Sequence, residues 1–171
     1  GRRDLQEYLI LDGGKPEVLG VELEGIAAAE PTPEALDALR EAEAIVIGPS
    51  NPVISIGPIL AVPGMREAIA ASGAPVVAVS PFVAGEVVKG PTERFMAGVG
   101  RPSTAAGVAS LYAGLIDAMV VDEGDPDPPP AQIPTLAAPT LMEGAAGRVR
   151  LARIVLEYAA ELAGARSEAS A

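Results

Sequence analysis

Unbroken apolar runs at residues 44–47 (Ala-Ile-Val-Ile), 75–80 (Pro-Val-Val-Ala-Val-Ser) and 117–122 (Asp-Ala-Met-Val-Val-Asp) are the strongest pattern in this chain. Runs this short, rich in β-branched residues and without polar alternation, predict strands buried on both faces of a parallel sheet. Apolar positions at helical spacing fill the intervals. One helix opens with Thr32 as its cap and Pro33 at its first position, and residues 65–71 predict another that stops at Gly73. Residues 92–97 predict a short helix, and residues 103–115 a further one capped by Ser103 or Thr104. Residues 148–162 predict an amphipathic helix with Val149, Ile154, Val155, Tyr158 and Leu162 turned inward. Residues 134–141 predict a short fourth strand. Residues 5–10 and 17–23 read as a hairpin about Asp12-Gly13-Gly14, residues that tolerate positive φ. The expected architecture is α/β: a Rossmann-like parallel sheet with helices on both faces, plus a β-hairpin near the N-terminus.

Right-handed crossovers place the loops after Ile47, Val79 and Val121 along one edge of that sheet, where open α/β folds bind ligands. The first loop is Gly48-Pro49-Ser50-Asn51-Pro52. It has two readings. Ser50, Asn51 and the backbone N–H groups beside Gly48 suit a phosphate or a heterocycle, but the same residue types are the commonest turn formers. Ser55 and Gly57 extend the polar, closely approachable surface and favour a ligand. Ser80-Pro81 ends the next strand. Lys89, a little further on, suits a phosphate as a point charge and equally suits a solvated surface. Asp122, Glu123, Asp125 and Asp127 lack the spacing of a calcium loop and read as a solvated acidic loop. Tyr8, Tyr112 and Tyr158 read as packing residues.

Composition narrows the chemistry. A chain of 171 residues fits one domain, and with 49% hydrophobic but only 3% aromatic residues its core is aliphatic. The 17 prolines and 19 glycines lie between apolar runs, which implies many loops. A net charge of −11 argues against nucleic acid as a partner, and Arg148, Arg150 and Arg153 read as a solvated helix face. Cysteine and histidine are both absent, which excludes a Cys nucleophile, a Ser-His-Asp triad, a Cys/His zinc site and disulfides. Any metal would be hard, such as Mg²⁺. No apolar run approaches the ~20 residues that span a membrane and no signal peptide is visible, so a soluble, cytoplasmic protein is expected. The chain opens Gly1-Arg2-Arg3 without Met, as a processed or N-terminally shortened sequence does.

Residues 47–64, Ile-Gly-Pro-Ser-Asn-Pro-Val-Ile-Ser-Ile-Gly-Pro-Ile-Leu-Ala-Val-Pro-Gly, resemble the signature of the 2-phospho-L-lactate transferase (CofD/FbiA) family. Residues 74–81, 88–91 and 119–123 agree with it, as does Leu5-Gln6-Glu7-Tyr8. The resemblance implies a step in making coenzyme F420. A phospholactyl or phosphoenolpyruvyl group passes from a GDP-linked donor to a hydroxyl of the deazaflavin Fo, GMP leaves, and Mg²⁺ is required. It implies that Gly48, Pro49, Ser50, Asn51, Ser55 and Gly57 contact donor phosphates and deazaflavin, with Ser80, Pro81 and Lys89 toward the nucleotide. Such transfer depends on positioning and charge neutralisation and needs neither His nor Cys. On this reading Asn51→Ala reduces transfer far more than stability.

The family's Gly-rich phosphate loop and its metal- and acceptor-binding aspartates have no counterpart here. Residues 1–171 are therefore expected to be one N-terminally truncated domain, with the Mg²⁺ ligands in the missing part. Ala138-Pro139 also replaces a more polar pair. The alternatives are a nucleotide-sugar-binding regulator of a related family and a non-catalytic fragment that folds or pairs with itself. Asn51-Pro52 followed by Ser55-Ile56-Gly57-Pro58 favours the transferase, and the family implies a homodimer.

Overall fold

The computed structural model describes residues 1–169. The strands are, in chain order, β1 (Ile45–Ile47), β2 (Val76–Val79), β3 (Phe82–Val83), β4 (Glu86–Val87), β5 (Ala118–Asp122) and β6 (Thr135–Ala138). The helices are α1 (Pro33–Glu41), α2 (Gly57–Ala61), α3 (Met65–Ala71), α4 (Thr92–Gly98), α5 (Ala105–Leu111) and α6 (Gly144–Ala169). The sheet has the order β1-β2-β5-β6 and every neighbouring pair is parallel. Central β2 and β5 bury every side chain, which is why their sequences lack polar alternation.

Two aliphatic layers hold helices against the sheet. On one face Val76, Ala78, Met119 and Val121 meet Leu60 of α2, Ile69 of α3, Met96 of α4 and Val108 of α5. On the other, Val77, Val79 and Val120 pack beneath Leu151, Val155 and Ala159 of α6. The expected parallel sheet with helices on both faces is therefore present. The caps are as expected too. Thr32 Oγ1 accepts from Ala35 N at 3.3 Å, and Thr104, rather than Ser103, caps α5 by accepting from Gly107 N at 3.1 Å. Gly73, at φ +74°, directly follows Ser72, the C-cap of α3.

The N-terminal hairpin is not formed. Asp12-Gly13-Gly14 does turn, with both glycines at positive φ, but Glu7–Leu11 is a wide helical turn and residues 17–23 pair with no strand. Tyr8 decides this. Its buried ring meets Phe95 edge-on at 5.5 Å, and its hydroxyl donates to the carbonyls of Gly14 at 3.0 Å and Pro16 at 2.8 Å. These contacts draw the returning chain across α4, where Val18 lies against Gly98, instead of back along residues 5–10. The antiparallel pair sits elsewhere, at β3–β4, with Phe82 opposite Val87 and Val83 opposite Glu86.

Three boundaries differ for local reasons. The fourth strand is only Thr135–Ala138, because Pro139 cannot continue the ladder. The fifth helix ends at Leu111, with Gly114 at φ +71° beyond it. The last helix outruns the expected 148–162 at both ends, its Ala-rich flanks containing no proline. At the far end Arg166 pairs with Asp117 and donates to Gly73 O at 3.3 Å, while Asp117 also accepts from Val76 N at 2.7 Å. Val149 faces outward, at 59% exposure, and Leu151 takes the inward place instead. Among the described residues no single helix is long and apolar enough to cross a membrane.

Candidate functional site

Parallel strands end on one edge, so their following loops are neighbours. Ile47 stands opposite Ala78 in the parallel pair, so the loop that opens at Gly48 and the chain that leaves β2 at Val79-Ser80-Pro81 emerge at the same edge of the sheet. Gly48 has an ordinary φ, and a Cβ built on it would meet nothing within 4 Å. Neither backbone strain nor packing inside this chain therefore calls for glycine at that point. The space beside it is open to a ligand. Ser50 N closes a tight turn onto Gly48 O at 2.8 Å, which leaves the Ser50 side chain exposed at the loop's crest.

Asn51 is spent inside the fold. Its Oδ1 accepts from Val53 N at 2.9 Å and Ile54 N at 3.0 Å, capping the wide turn Pro52–Ile56. Its Nδ2 donates to Thr92 Oγ1 at 3.2 Å, and Thr92 is buried. The side chain therefore ties the loop after β1 to the start of α4, which lies 41 residues further along the chain. Ser55 and Ile56 N–H groups both reach back to Asn51 O at 3.1 Å. A Cβ on Gly57 would stand 3.0 Å from Pro52 O, so that glycine admits the wide turn. Ser55 is half-buried in the same turn.

Ser80 is buried, and its Oγ accepts from Phe82 N at 3.1 Å while its backbone N–H continues the ladder to Val120 O. Pro81 is half-buried beside it, and Lys89 is exposed. The structure thus places Gly48, Pro49, Ser50, Ser80 and Pro81 at one edge of the sheet. It ties Asn51 to Thr92, puts Ser55 and Gly57 one turn further on, and shows no contact from Lys89 to the rest. Sequence reading missed Thr92 as a partner. The signal available was a hydroxyl residue opening a helix directly after Pro91.

The acidic run departs from expectation. Asp122 is only 8% exposed, and its carboxylate accepts from Ala84 N at 3.2 Å and from Gly124 N, Thr140 N and Thr140 Oγ1, each at 3.0 Å. Burial opposes its ionisation, and the bonds from Thr140, Gly124 and Ala84 outweigh that, holding its pKa below the ordinary aspartate value. Asp125 accepts from Gly85 N at 2.6 Å, and its other oxygen is buried with no hydrogen-bond partner. Burial, aided by the charges of Asp122 and Asp127 against the Gly85 bond, pushes its pKa up. Glu123 and Asp127 remain exposed. The legible clue was an acidic residue closing a buried strand, where a bare carboxylate has no water to solvate it.

This gives a signed pH effect. A carboxyl with a folded pKa below its unfolded value, about 3.9, stabilises fully above that pH and loses the contribution as pH falls through the folded value. The stability gap between the parent and Asp122→Asn should therefore narrow from pH 6 toward pH 2 in urea unfolding. A gap that stays constant over that range would remove Asp122 from the acid response.

Among the described residues no group of three acidic side chains is placed to hold a metal ion. Asp122 already serves four donors, so this edge does not fit an all-protein magnesium site. The family profile described as 2-phospho-L-lactate transferase CofD matches residues 1–136. The chain belongs to the CofD family.

Among its CofD relatives, the 2-phospho-L-lactate transferase of Methanopyrus kandleri is 40% identical over 167 residues, covering 96% of this chain and 53% of that protein. The phosphoenolpyruvate transferase of Streptomyces griseus is 42% identical over 162 residues, covering 92% of this chain and 51% of its own length. The chain thus spans about half the length of these curated relatives. A solved structure of protein BH3568 from Bacillus halodurans shares the fold, with a TM-score of 0.53 at 19% identity over 74% of this chain and 47% of that one. The CofD match covers every residue of the strand-end loops after β1, β2 and β5. A separate apolar groove of about 260 Å³ lies beside that edge, lined by Val21, Leu23, Leu60, Arg66 and Tyr112 among others. Gly57 is the member of the expected site that reaches it.

Proposed function

We propose that this chain forms one wall of a transfer site that moves a phospholactyl or phosphoenolpyruvyl group from a GDP-linked donor to the deazaflavin Fo. The observation that carries the reading is the pair of adjacent loops, Gly48-Pro49-Ser50 and Ser80-Pro81, with open space beside Gly48. The names of the curated CofD relatives supply the substrate class. In the step itself, the acceptor hydroxyl oxygen forms a bond to the phosphorus that carries the lactate or enolpyruvate 2-oxygen, the phosphoanhydride bond breaks, GMP departs with its bridging oxygen, and the hydroxyl proton is released.

The chain's share of this is binding. Loop N–H groups and the Ser50 hydroxyl approach phosphate oxygens, and Ser80 and Pro81 shape the adjoining wall. Lys89 adds a positive charge at an otherwise acidic edge. A magnesium ion bound with the donor would supply charge neutralisation at the diphosphate. The direct test is incubation of the whole protein with each GDP-linked donor and Fo, reading GMP release and deazaflavin product. Product from neither donor would sink the reading. Lys89→Ala should weaken GDP binding in calorimetry by about two- to fivefold, in keeping with the ~0.5–1 kcal/mol of one exposed charge contact. An unaltered affinity returns Lys89 to the solvated surface.

A further inference from the structure

A single side chain holds three loops of the substrate edge. Asp122 closes the central strand β5, between the loops that leave β2 and β6. Its Oδ1 accepts from Ala84 N in the β3–β4 turn and from Gly124 N in its own loop. Its Oδ2 accepts from Thr140 N and Thr140 Oγ1, just past β6. The turn it holds is a costly one. A two-residue hairpin of this type needs positive φ at both central positions, and here they are Ala84 at +50° and Gly85 at +79°. A non-glycine residue in that region is disfavoured by roughly 1–2 kcal/mol, and charge-assisted bonds from Ala84 to Asp122 and from Gly85 to Asp125 offset it.

We propose that Asp122 is a positioning residue of the transfer site: its carboxylate locks the β2, β5 and β6 loops into one body and so fixes the Ser80-Pro81 wall against the Gly48–Ser50 loop. This deepens the transferase reading and rests on it. Ser80 and Pro81 immediately precede the hairpin whose tip Asp122 holds, and the chain then runs on to Thr92, the residue tied to Asn51. Freed of the carboxylate, the hairpin keeps its own strand pairing and the Gly85–Asp125 bond but loses its tie to β5, and the Thr140 loop loses two of its bonds. Asp122 touches neither donor nor acceptor in this scheme. It acts through the loops.

Asp122→Asn in the whole protein is the informative variant. The amide keeps one acceptor for Ala84 and Gly124 but turns an NH₂ toward the Thr140 N–H. Amide exchange at Thr140 should speed at least tenfold while Val77 and Val120 keep their protection, and kcat/KM for transfer should fall at least tenfold. Thr140→Ser retains the hydroxyl and should behave as the parent; Thr140→Val should fall between. Unchanged exchange at Thr140 would overturn the clamp. Faster exchange with parent kcat and KM would leave Asp122 purely structural and overturn the positioning role. Absence of transfer by the parent itself would overturn the transferase reading alone, and the exchange rates would then decide the clamp.

Discussion

Gly107→Ala should lower stability by about 3 kcal/mol or more, although alanine is the better helix former by about 1 kcal/mol. Gly107 lies in the first turn of α5, buried, with its N–H bound to the Thr104 cap. A Cβ there would stand 1.9 Å from Pro102 O and 2.9 Å from Pro102 C, with Met96 Cε at 3.2 Å. The methionine end can move. The carbonyl is backbone ahead of a capped helix, and the Pro102 ring fixes its own φ. Relief would require α5 to shift, and α5 carries Val108 and Ala109 into the layer that backs Met119 and Val121. At roughly 2–4 °C per kcal/mol for a chain of this size, the midpoint of thermal unfolding should drop by about 10 °C. Gly164→Ala is the matched control: it is exposed in α6 with nothing within 4 Å, and should gain about the propensity difference. A Gly107→Ala variant as stable as Gly164→Ala would mean that α5 does not enter along this path.

The contrast between these glycines shows where sequence reading stops. Residues 76–79 and 118–122 were legible as central strands because burial on both faces leaves an unbroken apolar run. Thr32 and Thr104 were legible as caps because the bond lies within a few residues of the cap. Tyr8 was not legible as the breaker of a hairpin. Its effect runs through two carbonyls and the Phe95 ring, and no local pattern encodes those contacts. The same holds at the candidate site. Loops at the strand ends followed from the fold class, but the roles within them depend on partners 38 residues away for Asp122 with Ala84 and 41 for Asn51 with Thr92. Side chains that look free to meet a ligand in a linear reading are already engaged in the folded chain. Gly48, Ser50 and the exposed Lys89 are the expected site positions that remain open.

Asn51 carries the second large effect, and the structure changes its expected form. A substitution that spared stability would require an amide aimed outward, whereas this one is a helix cap and a bridge. Asn51→Ala removes the acceptor for Val53 and Ile54 N–H and leaves the Thr92 hydroxyl without that partner in a buried place. Loss of a cap costs ~1 kcal/mol and an unpaired buried group ~1–3 kcal/mol, so a total of about 2–4 kcal/mol is expected in urea unfolding. Transfer should suffer as well. The Gly48–Ser50 wall would no longer be fixed to α4, and a misplacement near 1 Å costs about 100-fold in rate. Asn51→Asp separates the two effects. Its carboxylate still caps the turn, and Thr92 Oγ1 can donate where it previously accepted, so stability should stay within about 0.5 kcal/mol of the parent. If the loop faces the donor phosphates as proposed, a negative charge placed behind it should nonetheless lower transfer at least tenfold, chiefly through KM for the GDP-linked donor. Parent-like transfer by a fully folded Asn51→Asp protein would place the donor phosphates away from this loop and leave Asn51 as a fold residue alone.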